Sequence, residues 1–170
     1  MAVNLKEETI LNRWSMLVDG AAGKASQLLD DIDARLTAAQ IPGACRWSLE
    51  EVQSGGFLSK VRREFLIVRI EQFSDYRTYI GVRDYGTHLD LCRFVTVEPG
   101  FLKRQLSQAI TGGDDRLLST PKNLLVEQDL QAWVTVVHHC VLDAVKALVR
   151  QMGQDPNGVR TETKGFLQVW

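Results

Sequence analysis

The chain predicts an α+β fold: an antiparallel meander sheet of four or five strands, flanked by a long N-terminal helix and a long C-terminal helix. Three observations carry that expectation. Apolar residues recur at helical spacing through the first forty positions and again from about Glu127 to Met152. Between Ala44 and Val97 the apolar period drops to two. The turn signals inside that middle region lie too close together for parallel strands, which need long crossovers.

The first element is read as one continuous helix. At 100° per residue, Ile10, Leu11, Trp14, Leu17, Val18, Ala21, Ala25, Leu28, Leu29, Ile32 and Leu36 fall within one arc, with Asn12, Arg13, Gly20, Gly23, Gln27, Asp30 and Asp31 opposite. Such a helix would run roughly 40 Å. Gly20 and Gly23 each cost a helix about 1 kcal/mol relative to Ala, so a break is most expected there. Ile41-Pro42-Gly43 ends the segment.

Cys45, Trp47 and Leu49 then alternate with Arg46, Ser48 and Glu50, as a half-buried strand does. Ser54-Gly55-Gly56 signals a turn, and Phe65 to Glu71 is rich in β-branched and aromatic residues. Ser74-Asp75 separates that strand from Tyr76–Arg83, and Asp84-Tyr85-Gly86-Thr87 suits a hairpin into His88–Val97. Pro99-Gly100 closes a four-stranded meander.

A short helix is expected over Phe101–Ile110, stopped at Gly112-Gly113, and a loop over Asp114–Asn123. The second long helix covers about Glu127–Met152 with Gly153 as its cap. Asp155-Pro156-Asn157-Gly158 is a turn, and the final Gly165–Trp170 segment reads as a strand returning to the sheet edge.

With 170 residues and 45% apolar composition, residues 1–170 suffice for a single domain with a substantial core. A net charge of −1 argues against a protein held on DNA by bulk charge. Two acids in the first eight residues do not suit a secretory signal. The longest charge-free apolar stretch, Leu130–Leu142, is shorter than the ~20 residues of a membrane helix. Cys45, Cys92 and Cys140 are widely spaced and odd in number, which suits reduced thiols better than a disulfide framework or zinc site. A soluble cytoplasmic protein without a membrane segment is the expectation.

Few residues suggest chemistry. His138, His139 and Cys140 are adjacent in the chain, but helical geometry sends the first and third to opposite flanks of the apolar face and His139 away from it. No metal and no cofactor is therefore expected. His88, Asp90 and Cys92 alternate on one strand and share a face, giving a base, an acid and a thiol about 6–7 Å apart along it. They are the catalytic candidates, weighed against an ordinary polar sheet face. The phosphate-loop pattern fails at Val18 and Ala25, and no dinucleotide, zinc-protease or nucleophile-elbow motif occurs.

Residues 55–105 carry nine basic and six acidic side chains. Arg77, Tyr79, Gly81 and Arg83 share a strand face, so Arg69, Arg77, Tyr79, Arg83 and Arg93 are the ligand-binding candidates for phosphates or stacked bases. The surplus is small, and cross-strand pairing with Glu64, Glu71, Asp84 and Asp90 is the favoured account. Nucleic acid is therefore admitted as a partner but not favoured. The expected function is a small binding or interaction protein without catalysis, self-associating as a homodimer. It would present an apolar helix–sheet surface and the Arg/Tyr face to an acidic protein or phosphate-bearing ligand. The rivals are a nucleic-acid binder using the basic face and a small enzyme using His88 with Asp90 or Cys92.

Overall fold

The computed structural model describes residues 3–4, 9–54, 61–98, 121–159 and 164–165. In chain order these form β1 (Val3–Asn4), β2 (Thr9–Val18), α1 (Ala25–Ala38), β3 (Cys45–Ser54), β4 (Val61–Ile70), β5 (Tyr76–Tyr85), β6 (His88–Val97), α2 (Pro121–Gln151) and β7 (Lys164–Gly165). One sheet holds every strand, in the order β1-β3-β4-β5-β6-β2-β7. Its body is five long antiparallel strands, β3-β4-β5-β6-β2, with a two-residue strand at each edge. The architecture is α+β, with one helix N-terminal to the meander and one C-terminal to it.

Strands β3 to β6 form where the period of two places them, with Ser74-Asp75 and Gly86-Thr87 in turns; the Gly55-Gly56 and Pro99-Gly100 signals lie outside the described residues. Gly86 (φ +62°) takes the first of two loop positions between Tyr85 and His88, where a mirror-image hairpin turn favours glycine. Both helices cover the same sheet face. Leu28, Ile32 and Leu36 of α1 pack with Val134, Val137, Val141 and Leu148 of α2 over Leu66, Val68, Ile80, Leu89, Leu91 and Val95. Gln27 of α1 donates to Gln151 of α2 across 2.8 Å, and the Trp47 indole donates to Asp33 Oδ1 at 2.5 Å, tying α1 to β3. The opposite face carries a smaller cluster of Val52, Phe65, Ile67 and Tyr79, bordered by Cys92 and Phe94.

The continuous N-terminal helix is overturned: residues 9–18 are a strand, and only Ala25–Ala38 is helical. Asn12, Trp14 and Val18 are buried while Arg13, Ser15 and Leu17 are exposed, which is the alternation of a strand. Outward-facing Ile10 and Leu17 are themselves apolar, so the same residues also fit a helical arc. A register shift between Ile10 and Asn12 further blurs the alternation. The break lies at the two glycines: Gly20 (φ +68°) and Gly23 (φ +81°) are left-handed and cannot sit inside a helix. Trp14 is accordingly a core residue of β2, not of a ~40 Å helix.

The C-terminal helix starts earlier than the spacing predicts. Pro121 occupies its first position, where proline's missing N–H costs nothing, so the expected loop does not extend through Asn123. Gly153 (φ +72°) caps it, with Gly153 N–H donating to Arg150 O and Gln154 N–H to Val149 O. Leu125–Gln151 is long and apolar enough to cross a membrane, yet 61% of its most apolar window is buried inside the protein. That is the behaviour of a core helix. Lys164–Gly165 pairs antiparallel with Arg13 and Asn12, at the start of the expected terminal strand. The short helix expected over 101–110 and the tail 166–170, including Trp170, lie outside the described residues.

Candidate functional site

The helix-free face of β2, β6 and β5 is built as rungs of cross-strand neighbours. Leu17, Asp90 and Arg83 form one rung, and His88 and Tyr85 meet on the next. The following rungs bring Ser15, Cys92 and Gly81 together, then Arg13, Phe94 and Tyr79. Alternation therefore places His88, Asp90 and Cys92 on one face, as expected, together with Arg77, Tyr79 and Arg83.

Each candidate catalytic group is engaged elsewhere. His88 Nδ1 lies 2.9 Å from Asp19 Oδ1, close enough for an ion pair but not aligned as a hydrogen bond. Asp90 Oδ2 accepts from Arg83 Nε at 2.7 Å. The Cys92 thiol is pushed up to about 11, first by burial and then by the neighbouring Asp90 charge, so it is protonated at neutral pH. A protonated thiol is a poor nucleophile.

The arginines are paired across strands, largely with acids other than those the sequence suggests. Arg69 grips Glu50 through two bonds, Nη1–Oε1 at 2.6 Å and Nη2–Oε2 at 2.9 Å, and this bond holds the Glu50 carboxyl below its ordinary range. Arg77 pairs with Glu98, and Arg83 with Asp90 while stacking over Tyr85 at 5.1 Å. Tyr79 is fully buried in the smaller apolar cluster, its ring edge-on to Phe65 at 6.1 Å between centroids. Arg93 does not belong to this face. It follows Leu91 and precedes Val95 at the inward positions of β6, beneath the helices, and is fully buried.

Two depressions meet at Asp90. One of about 220 Å³ is lined by Arg63, Phe65, Gly81, Arg83, Asp90 and Cys92. The other, about 530 Å³, lies along β2 and is lined by Ser15, Met16, Leu17, Asp90 and Gly158. Leu17 and Tyr85 stand beside them, 52% and 59% exposed.

On α2, His138 is fully buried with its ring edge-on to Trp14 at 5.6 Å, His139 is exposed, and Cys140 is buried. Among the described residues no three His, Cys, Asp or Glu side chains come together as a metal ion would require. Sequence reasoning missed the pairing of Arg93 with Asn12, whose side-chain oxygen accepts from Arg93 Nη2. The signal was present, since Arg93 alternates in phase with Leu91 and Val95. Comparison with protein-family models, with curated proteins and with solved structures finds no match for this chain.

Proposed function

We propose that this chain is a small cytoplasmic interaction protein without catalysis, and that it self-associates through the helix-free sheet face around Asp90. The observation that supports this most is the exposure of Leu17 and Tyr85 on that face, flanking the Arg83–Asp90 ion pair. Apolar anchors beside a polar, hydrogen-bonding surround is the usual anatomy of an interface. A two-fold axis near Asp90 would let Arg83 of each copy exchange carboxylates with its counterpart, since an isologous interface repeats every contact. The same Arg83 would serve an acidic protein or a phosphate-bearing ligand.

The nucleic-acid reading draws less support. A polyanion would have to displace Glu50, Glu98 and Asp90 from the arginines that hold them, and Tyr79 is too deep to stack a base. The enzyme reading would need His88 and Asp90 to leave Asp19 and Arg83, and the half-buried Cys92 thiol to ionise.

Native mass spectrometry with sedimentation equilibrium at tens of micromolar tests the proposal. The expected result is a dimer for the natural chain and a folded monomer for the Leu17→Asp, Tyr85→Asp double variant. A natural chain that is monomeric at those concentrations, or a double variant that stays dimeric, would overturn it.

A further inference from the structure

Arg93 is an interior charge without a counter-charge. Its side chain is fully buried, between Trp14 on β2 and Ile80 on β5, its cross-strand neighbours. Nη2 donates to the neutral Asn12 side chain, while Nε and Nη1 have no acceptor. Among the described residues no carboxylate reaches it. Burial lowers its proton affinity only to about 10, so the guanidinium is charged at neutral pH.

An unpaired interior charge costs several kcal/mol, and an apolar side chain of similar length would avoid that cost. Water could accept from the bare N–H groups but would leave the charge uncompensated. A second unpartnered group stands nearby. Thr78 is fully buried on the same face, its hydroxyl has no partner, and it lies diagonal to Arg93 in the β5–β6 register. Diagonal neighbours sit about 7–8 Å apart, within reach of a long side chain.

We propose that Arg93, with the Thr78 hydroxyl as a second donor, is the receptor for one small monovalent anion held between the sheet and α2. The ligand chemistry is a single negative charge with no hydrogen to donate and little bulk, which describes both a halide and a short carboxylate such as formate. The site is independent of the helix-free face, because Arg93 and Thr78 lie on the opposite side of the sheet.

The test is thermal unfolding of the whole chain, first exchanged into gluconate and then titrated at constant ionic strength with chloride, bromide or formate. A ligand that binds only the folded state raises the midpoint with the logarithm of its concentration once above Kd, here by roughly 5–10 °C at a hundredfold excess over Kd. Bromide should also quench Trp14, which faces Arg93 across the strand pair. A response to halides alone identifies a halide site, and a response to formate alone a carboxylate site; either supports the proposal. Arg93→Met should abolish both responses, and Thr78→Val, which removes only the hydroxyl, should weaken anion affinity several-fold. If Arg93→Met does not fold, the natural chain and Thr78→Val decide the matter. Identical midpoints and emission in all four salts would overturn it.

Discussion

Gly81 and Phe65 lie so close across β5 and β4 that a Cβ on Gly81 would stand 2.6 Å from Phe65 Cε1 and 2.8 Å from Cys92 Sγ. The missing side chain lets the Phe65 ring lie over the middle strand and reach both Tyr79 and Phe94, at 6.1 and 6.2 Å between centroids. A glycine usually weakens a strand interior, so its presence at the sheet centre is explained by this close approach. Gly81→Ala should destabilise the protein by about 1–3 kcal/mol, the range for overpacking. Phe65→Leu in the same chain should recover part of that loss. Urea unfolding of the single and double variants measures the coupling, and strictly additive effects would show that the two residues do not compete for space.

Cys92 gives a pH dependence with a definite sign. Its folded-state value is raised from 9.0 to about 11. Below pH 9 the thiol is protonated whether the chain is folded or not, and stability is fully present. Between pH 9 and 11 the unfolded chain ionises while the folded one resists, so stability falls, by about 3 kcal/mol in all. Cys92→Ala should lose stability less steeply over that window. Native Cys92 should also react with an aromatic disulfide far more slowly at pH 8 than the same thiol in urea.

The Glu50–Arg69 pair tests how much the helix-free face depends on its charges. The two-bond geometry is good, but both side chains are about one-third exposed, so solvent screens most of the attraction. Glu50→Gln should cost no more than about 1 kcal/mol, and the difference should vanish in 1 M salt. Because the Glu50 carboxyl is held below its ordinary range, chiefly by Arg69, its contribution is present at neutral pH and lost as pH falls through that lowered value. Acid titration of the natural chain and Glu50→Gln, followed by tryptophan emission, should converge at the lowest pH.

The meander was legible in the sequence because each signal there had a single reading. Alternation in Cys45–Glu50 and His88–Val97 cannot be mistaken for a helix, and Gly86 marks a hairpin whose flanks pair directly. Residues 9–18 had two readings, since outward-facing Ile10 and Leu17 satisfy a helical stripe while buried Asn12 breaks the inward apolar run. Only pairing with β6, a contact more than seventy residues away in the chain, decides between them. The same non-local fact hides Arg93: its partner Asn12 comes from β2, so a reader who holds residues 9–18 to be helical has no reason to bring the two together. The face shared by His88, Asp90 and Cys92 was readable from spacing, but what each group does was not. Asp19, Arg83 and burial respectively engage them, and none of these follows from a period of two.

The strand–turn–helix reading of the N-terminal region can be checked by the sign of one substitution. In a continuous helix Gly23→Ala would stabilise, by about 1 kcal/mol, since alanine is the better helix former. Here Gly23 has φ +81° and its N–H donates to Asp84 Oδ1 at 2.9 Å, fastening the turn to the end of β5. Nothing lies within 4 Å of where the new Cβ would stand, so any penalty comes from the backbone alone. A left-handed conformation costs an L-residue about 1–2 kcal/mol, so Gly23→Ala should destabilise by about that amount. Gly20→Ala should do the same, since Gly20 is also left-handed and only Met152 Cε, at 3.9 Å, approaches its new methyl. Asp84→Ala should add to neither loss in full, because a turn already loosened by alanine has less to gain from the Asp84 bond. Chemical denaturation of these variants reads the sign directly: stabilisation by either alanine would restore the continuous helix, and destabilisation by both fixes the chain reversal between β2 and α1.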